Sequence, residues 1–305
     1  MLTYKQLEAI YWVARLGGFG PAAGKLHTSQ SAISKRVQEI ESLFDTALFD
    51  RSLRTARLTD KGEELYALAG RLLAQRDAAV EQFARPEVVE RRLRIGLTEL
   101  SAMTWFPRLV GLVQARYPRV VIEPDVDASM TLRAKLLADE LDVVIVPDHA
   151  EDSGLAKAAV GKVRNDWMCK PGLVSATKRF RPQDLLSHRL LTQGERSAAG
   201  QAYQRWFRSF GIAPGNVLVS NNLIAIIGMT VSGLGISHLP RDCLQPLIAA
   251  GLLQPVKVAP ALPAIHYVAL SSGMRRGAFI DDVIRMARQC CDFTRAFQVG
   301  GADGA

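Results

Sequence analysis

Along the first ninety residues apolar positions recur every three or four residues, a period that predicts helices. Leu7, Ile10, Val13 and Ala14 form the first stripe. Thr3 and Gln6 frame its start as a capping box, and Gly17-Gly18 ends it. Pro21 suits the first turn of a short second helix, where its missing N–H costs nothing, with Ala22, Ala23 and Leu26 facing inward. His27-Thr28 is a tight connection to a third helix. Ser29 stands where its hydroxyl can cap that helix, and Ile33, Val37, Ile40 and Phe44 make its apolar stripe. A long helix is predicted from Thr59 to about Arg85, closed by Pro86. Leu65, Leu68, Leu72, Ala79 and Phe83 keep near-heptad spacing on it, which predicts a seam with a second copy.

Beyond residue 92 the pattern changes to short apolar runs alternating with helical stretches. Strands are predicted at Leu93–Leu97, Val120–Ile122 and Val143–Val146, with helices at Ala102–Tyr117 and Met130–Ala138 between them. This order predicts a parallel sheet covered on both faces. It repeats with strands near Trp167–Cys169, Leu190-Leu191, Val217–Val219 and Ile236-Ser237, and helices at Ala199–Phe210, Asn222–Ser232 and Cys243–Ala250. A strand at Ile265–Leu270 and a helix at Phe279–Phe293 close the chain. Two similar halves with crossings near 160–165 and 262–267 predict a hinged two-lobe ligand trap, of residues 92–162 with 268–305 and of residues 163–267.

The outer face of the third helix bears on function. Ser31, Ser34, Lys35 and Gln38 recur there at helical spacing, a neutral, hydroxyl-rich face with one cation. Most solvated faces mix Glu and Lys instead. Short donors with one long cation suit the DNA major groove, where they reach base edges or phosphates. Alone this helix also fits an ordinary surface helix; the short helix and tight turn before it complete a helix-turn-helix. In the following stretch Arg51, Arg54 and Arg57 recur every third residue between Leu48-Phe49 and Leu58. It is read as a hairpin wing, with Arg54 at the tip for the minor groove and Arg51 for phosphate. A solvated surface loop is the plain alternative.

Charge changes this picture little. The 305 residues carry a net +8, yet residues 1–85 hold twelve Lys/Arg against ten Asp/Glu, so placement and not bulk charge must carry a DNA-binding reading. Cys169, Cys243, Cys290 and Cys291 show no CxxC or metal spacing and are expected as reduced thiols, with no metal site. No basic stretch leads into an apolar run at the start, and no run has transmembrane length, so a cytoplasmic protein without a membrane partner is expected.

The elements Phe19, Ala22-Ala23, Leu26, Ser29-Gln30, Ala32-Ile33-Ser34, Ile40-Glu41, Leu48-Phe49-Asp50-Arg51, Leu58-Thr59 and Gly62 stand in an order and spacing that resemble the LysR-type transcriptional regulators over residues 1–66. Arg94-Ile95-Gly96, Leu141-Asp142-Val143 and Val231–Ile236 with Leu239-Pro240 extend the likeness. The resemblance implies an α/β chain in three parts. These are a winged helix-turn-helix at 1–58, a dimerising linker helix at 59–91 and a periplasmic-binding-protein-like effector domain at 92–305. It places Gln30, Ser31, Ser34, Lys35 and Arg54 on DNA, and Gln38 and Arg51 join them from the residue reading. It further implies double-stranded operator DNA, a homo-oligomer built as a dimer of dimers, and RNA polymerase as partners. Gly18, Gly20 and Ser31 depart from the family pattern, which puts individual phosphate contacts in doubt and not the fold.

In open α/β sheets ligands bind beyond strand C-termini, against helix N-termini whose free amides favour anions. That rule selects Thr98, Glu99, Leu100, Ser101, Ser129 and Asn221 as ligand-binding residues, although for each hydroxyl or amide simple helix capping is the plain alternative. The predicted effector is a small anion, an aromatic sulfonate or carboxylate, with Trp167, Met168 and Met103 as apolar walls. Glu99 argues against a purely anion-selective site. Two other functions compete. A transport-type solute-binding protein would explain the second half only. An enzyme would need a catalytic set, yet no GxSxG, phosphate loop or GxGxxG after a strand occurs and the histidines are scattered, so no catalytic residue and no cofactor are expected.

Overall fold

The computed structural model describes residues 1–50, 56–83, 85–149, 152, 154–272 and 277–298. The chain divides into two compact units, the first of Met1–Phe83 with Met274–Phe279 and the second of Ala84–Gly273 with Ile280–Ala305.

In the first unit α1 (Tyr4–Leu16), α2 (Phe19–Lys25) and α3 (Gln30–Phe44) pack together, followed by β1 (Phe49–Asp50), β2 (Arg57–Leu58) and α4 (Asp60–Phe83). Thr3 and Gln6 form the capping box, and Gly17 takes the left-handed conformation that ends α1. Leu7, Ile10, Val13, Ala22, Ala23, Ile33, Val37 and Ile40 bury one core, to which α4 adds Leu65, Ala69 and Leu73. Gly62 is required there: a Cβ would lie 2.1 Å from the carbonyl oxygen of Leu48. Two expectations change. Phe44 is 49% exposed, because the last turn of α3 carries its apolar stripe past the core. The near-heptad set of α4 does not share one face. Leu65 turns inward, Leu72 is half-buried, and Leu68, Ala79 and Phe83 face outward.

The second unit holds two mixed sheets. The first runs in the order β4 (Val121–Val126), β3 (Arg92–Leu97), β5 (Val143–Pro147), β13 (Ile265–Ser272) and β6 (Leu155–Val163). Strands β3, β4 and β5 are parallel as expected, whereas β13 runs antiparallel to both its neighbours. Here α5 (Glu99–Met103) and α6 (Phe106–Arg116) replace one expected helix. Thr104 leaves helical geometry at φ −102° and ψ −90°, and Pro107 suits the first turn of a new helix, not the interior of an old one. Helix α7 (Ser129–Leu137) covers one face through Leu132 and Leu136. The motif residues explain themselves. Arg94 makes a two-pronged bond to Asp142, at 2.6 and 3.3 Å, and donates to the Asp139 carbonyl. Gly96 lies where a Cβ would meet Leu141, Val144 and Leu132 within 3 Å.

The second sheet runs β10 (Val217–Val219), β9 (Leu190–Thr192), β11 (Ile236–Pro240), β7 (Asn165–Cys169), β12 (Gln254–Val258) and β8 (Arg179–Phe180). Helix α8 (Ala198–Arg208) packs Tyr203, Trp206 and Phe207 around Trp167. Helix α9 (Leu223–Val231) lies against β9, β11 and β7, α10 (Gln245–Ala249) is short, and α11 (Ala278–Cys290) closes the unit. The chain crosses between the sheets twice, at Arg164 and between Val258 and Ile265. Strands β6, β8 and β12 were not expected from the sequence.

Candidate functional site: a helix face and an interlobe cleft

Local sequence sets the face of α3. The Ser29 hydroxyl accepts the Ala32 amide at 3.2 Å and lies 3.0 Å from the Ser31 hydroxyl, which fixes the start of the helix. Gln30, Ser31, Lys35 and Gln38 are exposed and Ser34 is half-buried. Gln30, Ser34, Lys35 and Gln38 make no side-chain hydrogen bond or ion pair with a described residue. The helix's acids are drawn back to the protein: Glu39 accepts from the Gln6 amide group and Glu41 from the Leu48 amide, each at 2.9 Å. What remains outward is a row of donors with little negative charge to repel a phosphate backbone. Strands β1 and β2 pair antiparallel beside it, Phe49 opposite Leu58 and Asp50 opposite Arg57. Arg51 and Arg54 lie outside the described residues.

Within the second unit a cleft of about 350 Å³ opens between the two sheets, in the size range of small-molecule sites, roughly 300–1,000 Å³. Thr98, Glu99, Leu100, Ser129 and Asn221 all line it. Ser101 does not. It is fully buried behind the wall, with its hydroxyl 3.4 Å from that of Thr98. The starts of α5, α7, α8 and α9 reach this cleft through Thr98, Ser129, Ser197 and Asn222.

Several expected ligand groups are already engaged across the cleft. The Glu99 carboxylate accepts the Asn222 side-chain amide at 2.7 Å and, through its other oxygen, the Leu223 amide at the start of α9. The Ser129 hydroxyl accepts the Ala198 amide of α8 at 3.0 Å and donates to the Arg196 carbonyl at 3.4 Å. The expectation of open amides at these helix starts is therefore corrected: protein side chains cap two of them. Asp127 is partly compensated by Lys135 at 3.2 Å, which it shares with Asp125 at 2.7 Å.

Three residues that the sequence reading passed over share the cleft. Arg196 is exposed on it, and its guanidinium pairs with no described residue. Asn165 and His238, each only 8% exposed, stand near each other on adjacent strands β7 and β11. Among the described residues the Asn165 Oδ1 and the His238 Nε2 have no hydrogen-bond partner. Burial pushes the imidazole down to about 4, so His238 is neutral at physiological pH. The signal that could have found them is positional, since Asn165 opens the strand directly after the first crossing. The aromatic walls need correction too. Trp167 and Met168 belong to the core of the second lobe and Met103 does not line the cleft; its rings are His238 and Tyr267. Burial pushes the Tyr267 phenol up to about 12, and its hydroxyl lies 3.3 Å from that of Thr98.

Cys169, Cys243 and Cys290 are buried and Cys291 is half-buried, all unpaired. Burial pushes Cys243 and Cys291 up to about 12 and Cys290 to about 11, which keeps them as unreactive thiols. Among the described residues no group of His, Cys, Asp and Glu could hold a metal ion, and no helix is long and apolar enough to cross a membrane.

Against known proteins, residues 4–63 match the model described as "Bacterial regulatory helix-turn-helix protein, lysR family", and residues 86–292 match "LysR substrate binding domain". The chain is 26% identical over 294 residues to the HTH-type transcriptional regulator MetR of Escherichia coli, covering 96% of this chain and 92% of that one. It is 30% identical over 243 residues to the HTH-type transcriptional regulator YofA of Bacillus velezensis, covering 78% and 81%. Among solved structures, ArgP from Mycobacterium tuberculosis superposes with a TM-score of 0.70 at 18% identity, covering 95% and 97%. A full-length OxyR variant from Pseudomonas aeruginosa gives 0.67 at 22%, covering 95% and 96%. At these identities the two structures show a common fold and no more.

Proposed function

The chain belongs to the LysR family of transcriptional regulators, not to an enzyme family, and from that premise we propose how its parts divide the work. It binds DNA through its helix-turn-helix and carries an effector-binding domain. In our reading Gln30, Ser31, Ser34, Lys35 and Gln38 meet operator DNA in the major groove, with Arg51 and Arg54 of the wing on the backbone or minor groove. Residues 1–58 form the DNA-binding part, 59–91 the linker helix and 92–305 the effector part. The outward Leu68, Ala79, Val80 and Phe83 of α4 offer a seam for a second copy, and two such dimers pair on a two-fold symmetric site. RNA polymerase is the further partner, and the cytoplasm is where these partners meet.

The effector sits in the cleft, held by an acidic group against Arg196 and contacted by Thr98, Glu99, Leu100, Ser129 and Asn221. Ser101 supports Thr98 from behind. The observation that carries this reading is the unpaired Arg196 guanidinium beside a cleft where four helix starts converge. A ligand that bonds both walls favours one lobe spacing over another, and it shifts that equilibrium only by its differential affinity for the two. An aromatic sulfonate or carboxylate, such as p-toluenesulfonate, is the narrower candidate; Tyr267 supplies a ring for it, and none of the relatives named above bears on that choice. A thermal-shift panel on the full chain with aromatic sulfonates, aromatic carboxylates, aliphatic diacids and amino acids tests the site. A ligand at 100 times its dissociation constant adds about 2.7 kcal/mol of stability, and Arg196→Ala should abolish that gain. A ligand that stabilises Arg196→Ala as fully as the parent chain places the effector elsewhere.

A further inference from the structure

The cleft contains more unsatisfied acceptors than an anion can use. Asn165 Oδ1 can only accept a hydrogen bond, lies more than nine-tenths buried and has no partner. Leaving such a group without a donor is costly, so its persistence in a ligand-sized cleft is a requirement placed on the ligand. His238 Nε2, two residues along β11 from Pro240, the register partner of Asn165, is also without a partner among the described residues and can accept from a donor while the ring is neutral. Glu99 adds a fixed carboxylate on the same lining. It already supplies the negative charge that the start of α9 favours, so that helix no longer calls for an anion from outside. Asp127 shares the single cation of Lys135 with Asp125, which lies closer to it, so Asp127 is only partly compensated. Among the described lining residues, one uncompensated cation, Arg196, therefore faces the carboxylate of Glu99, the partly compensated Asp127 and two orphaned polar atoms.

A simple carboxylate or sulfonate would satisfy Arg196, bring a second negative charge into the cleft of Glu99, and leave Asn165 unpaired. A simple amine would do the reverse. We propose that the effector is a small zwitterion, an amino acid or amino-sulfonate, whose acidic group meets Arg196 and whose ammonium donates to Asn165 Oδ1 within reach of Glu99 and His238. The inference rests on the cleft being the effector site and sharpens it. Asn165 and Glu99 are then specificity residues, which select for the amine and not for affinity alone.

The test is a calorimetric and thermal-shift comparison on the full chain with matched probes. Each of the twenty proteinogenic L-amino acids is set beside the carboxylic acid that lacks its α-amine, and taurine beside ethanesulfonate. The expected result is at least one zwitterion that binds tenfold or more tightly than its amine-free counterpart. Asn165→Leu and Glu99→Gln should each erase that preference, and a cooperative urea transition of the second unit in both variants checks that they fold. An amine-free acid that binds as tightly as its zwitterion overturns the proposal and leaves the cleft reading intact. No response to any zwitterion also overturns it. In that case a hit from the wider panel that Arg196→Ala abolishes keeps the cleft as the site, and a hit indifferent to Arg196→Ala removes the cleft as well.

Discussion

The outer face of α3 and the floor of the cleft, the two surfaces proposed to meet a ligand, are prepared in opposite ways. On α3 the reactive groups stand outward and unspent. Ser29 fixes the helix start, Glu39 and Glu41 are held by Gln6 and Leu48, and Gln30, Ser34, Lys35 and Gln38 have no partner to give up among the described residues. In the cleft the most evident polar groups are spent on one another, Glu99 on Asn222 and Leu223, and Ser129 on Ala198 and Arg196. What is left over there is inconspicuous: the buried Asn165 and His238 and the exposed guanidinium of Arg196. The difference follows from the partners. DNA arrives with its own charge and regular spacing, so an exposed rigid row suffices. A small molecule that must report its presence has to enter the bonds that hold two lobes together.

The comparison can be tested at four points, in decreasing order of effect. Trp105, the residue directly before α6, is fully buried, with its ring 6.1 Å from that of Phe293. Trp105→Ala should cost the second unit about 3–5 kcal/mol, read by urea denaturation, while leaving the intrinsic affinity of the first unit for DNA unchanged. Loss of DNA affinity under conditions where the variant is still folded would mean the two regions are not separable. His238 comes next. Its folded-state value lies below that of the unfolded chain, so the unfolded chain binds the extra proton. Its contribution is therefore intact above the ordinary histidine range and drains away as pH falls from about 6.5 towards 4. That window corresponds to about 3 kcal/mol. The pH dependence of unfolding in His238→Gln should be flatter than in the parent by that amount; parallel curves would show that the imidazole is not held neutral.

On the DNA side, Ser34→Ala with Lys35→Ala should weaken operator binding by about 1–3 kcal/mol for each hydrogen bond to a base edge that is removed, with the effector response preserved. An unchanged affinity and footprint would move the docking face off α3. Smallest is Ser129→Ala, which removes the acceptor of the Ala198 amide. It should cost about 1 kcal/mol and blunt the effector response while operator binding holds. A normal effector affinity in that variant would show that the Ser129 bridge is a cap and nothing more.

These contrasts also explain which features were legible in the sequence. The helices of the first unit were readable because their signals are local: Thr3 with Gln6, the Gly17 stop, the Ser29 cap, and Ile33, Val37 and Ile40 at helical spacing. Phe44 was misplaced because periodicity gives direction and not the extent of the core. In the second unit the buried run Val143–Val146 announced its strand, whereas β6 did not. Its stretch Ala156-Lys157-Ala158-Ala159 is poor in β-branched residues and becomes a strand through pairing with β13. Pro255 hid β12 in the same way. Five of the six residues chosen for the cleft do line it, because strand ends and helix starts can be located from pattern alone. The pairings between them could not, since Glu99 meets Asn222 across more than a hundred residues of chain. The orphaned atoms of Asn165 and His238 are visible only once β7 and β11 lie side by side.

The assignment of α3 as the reading helix is tested most directly by selection of double-stranded DNA from a random-sequence pool by the full chain, followed by affinity and salt-dependence measurements on the enriched site. The expected outcome is a two-fold symmetric motif bound at least tenfold more tightly by the parent chain than by the variant with Ser34→Ala and Lys35→Ala. Enrichment of no common sequence, or of a motif that this variant binds equally well, would contradict the assignment of α3 as the reading helix.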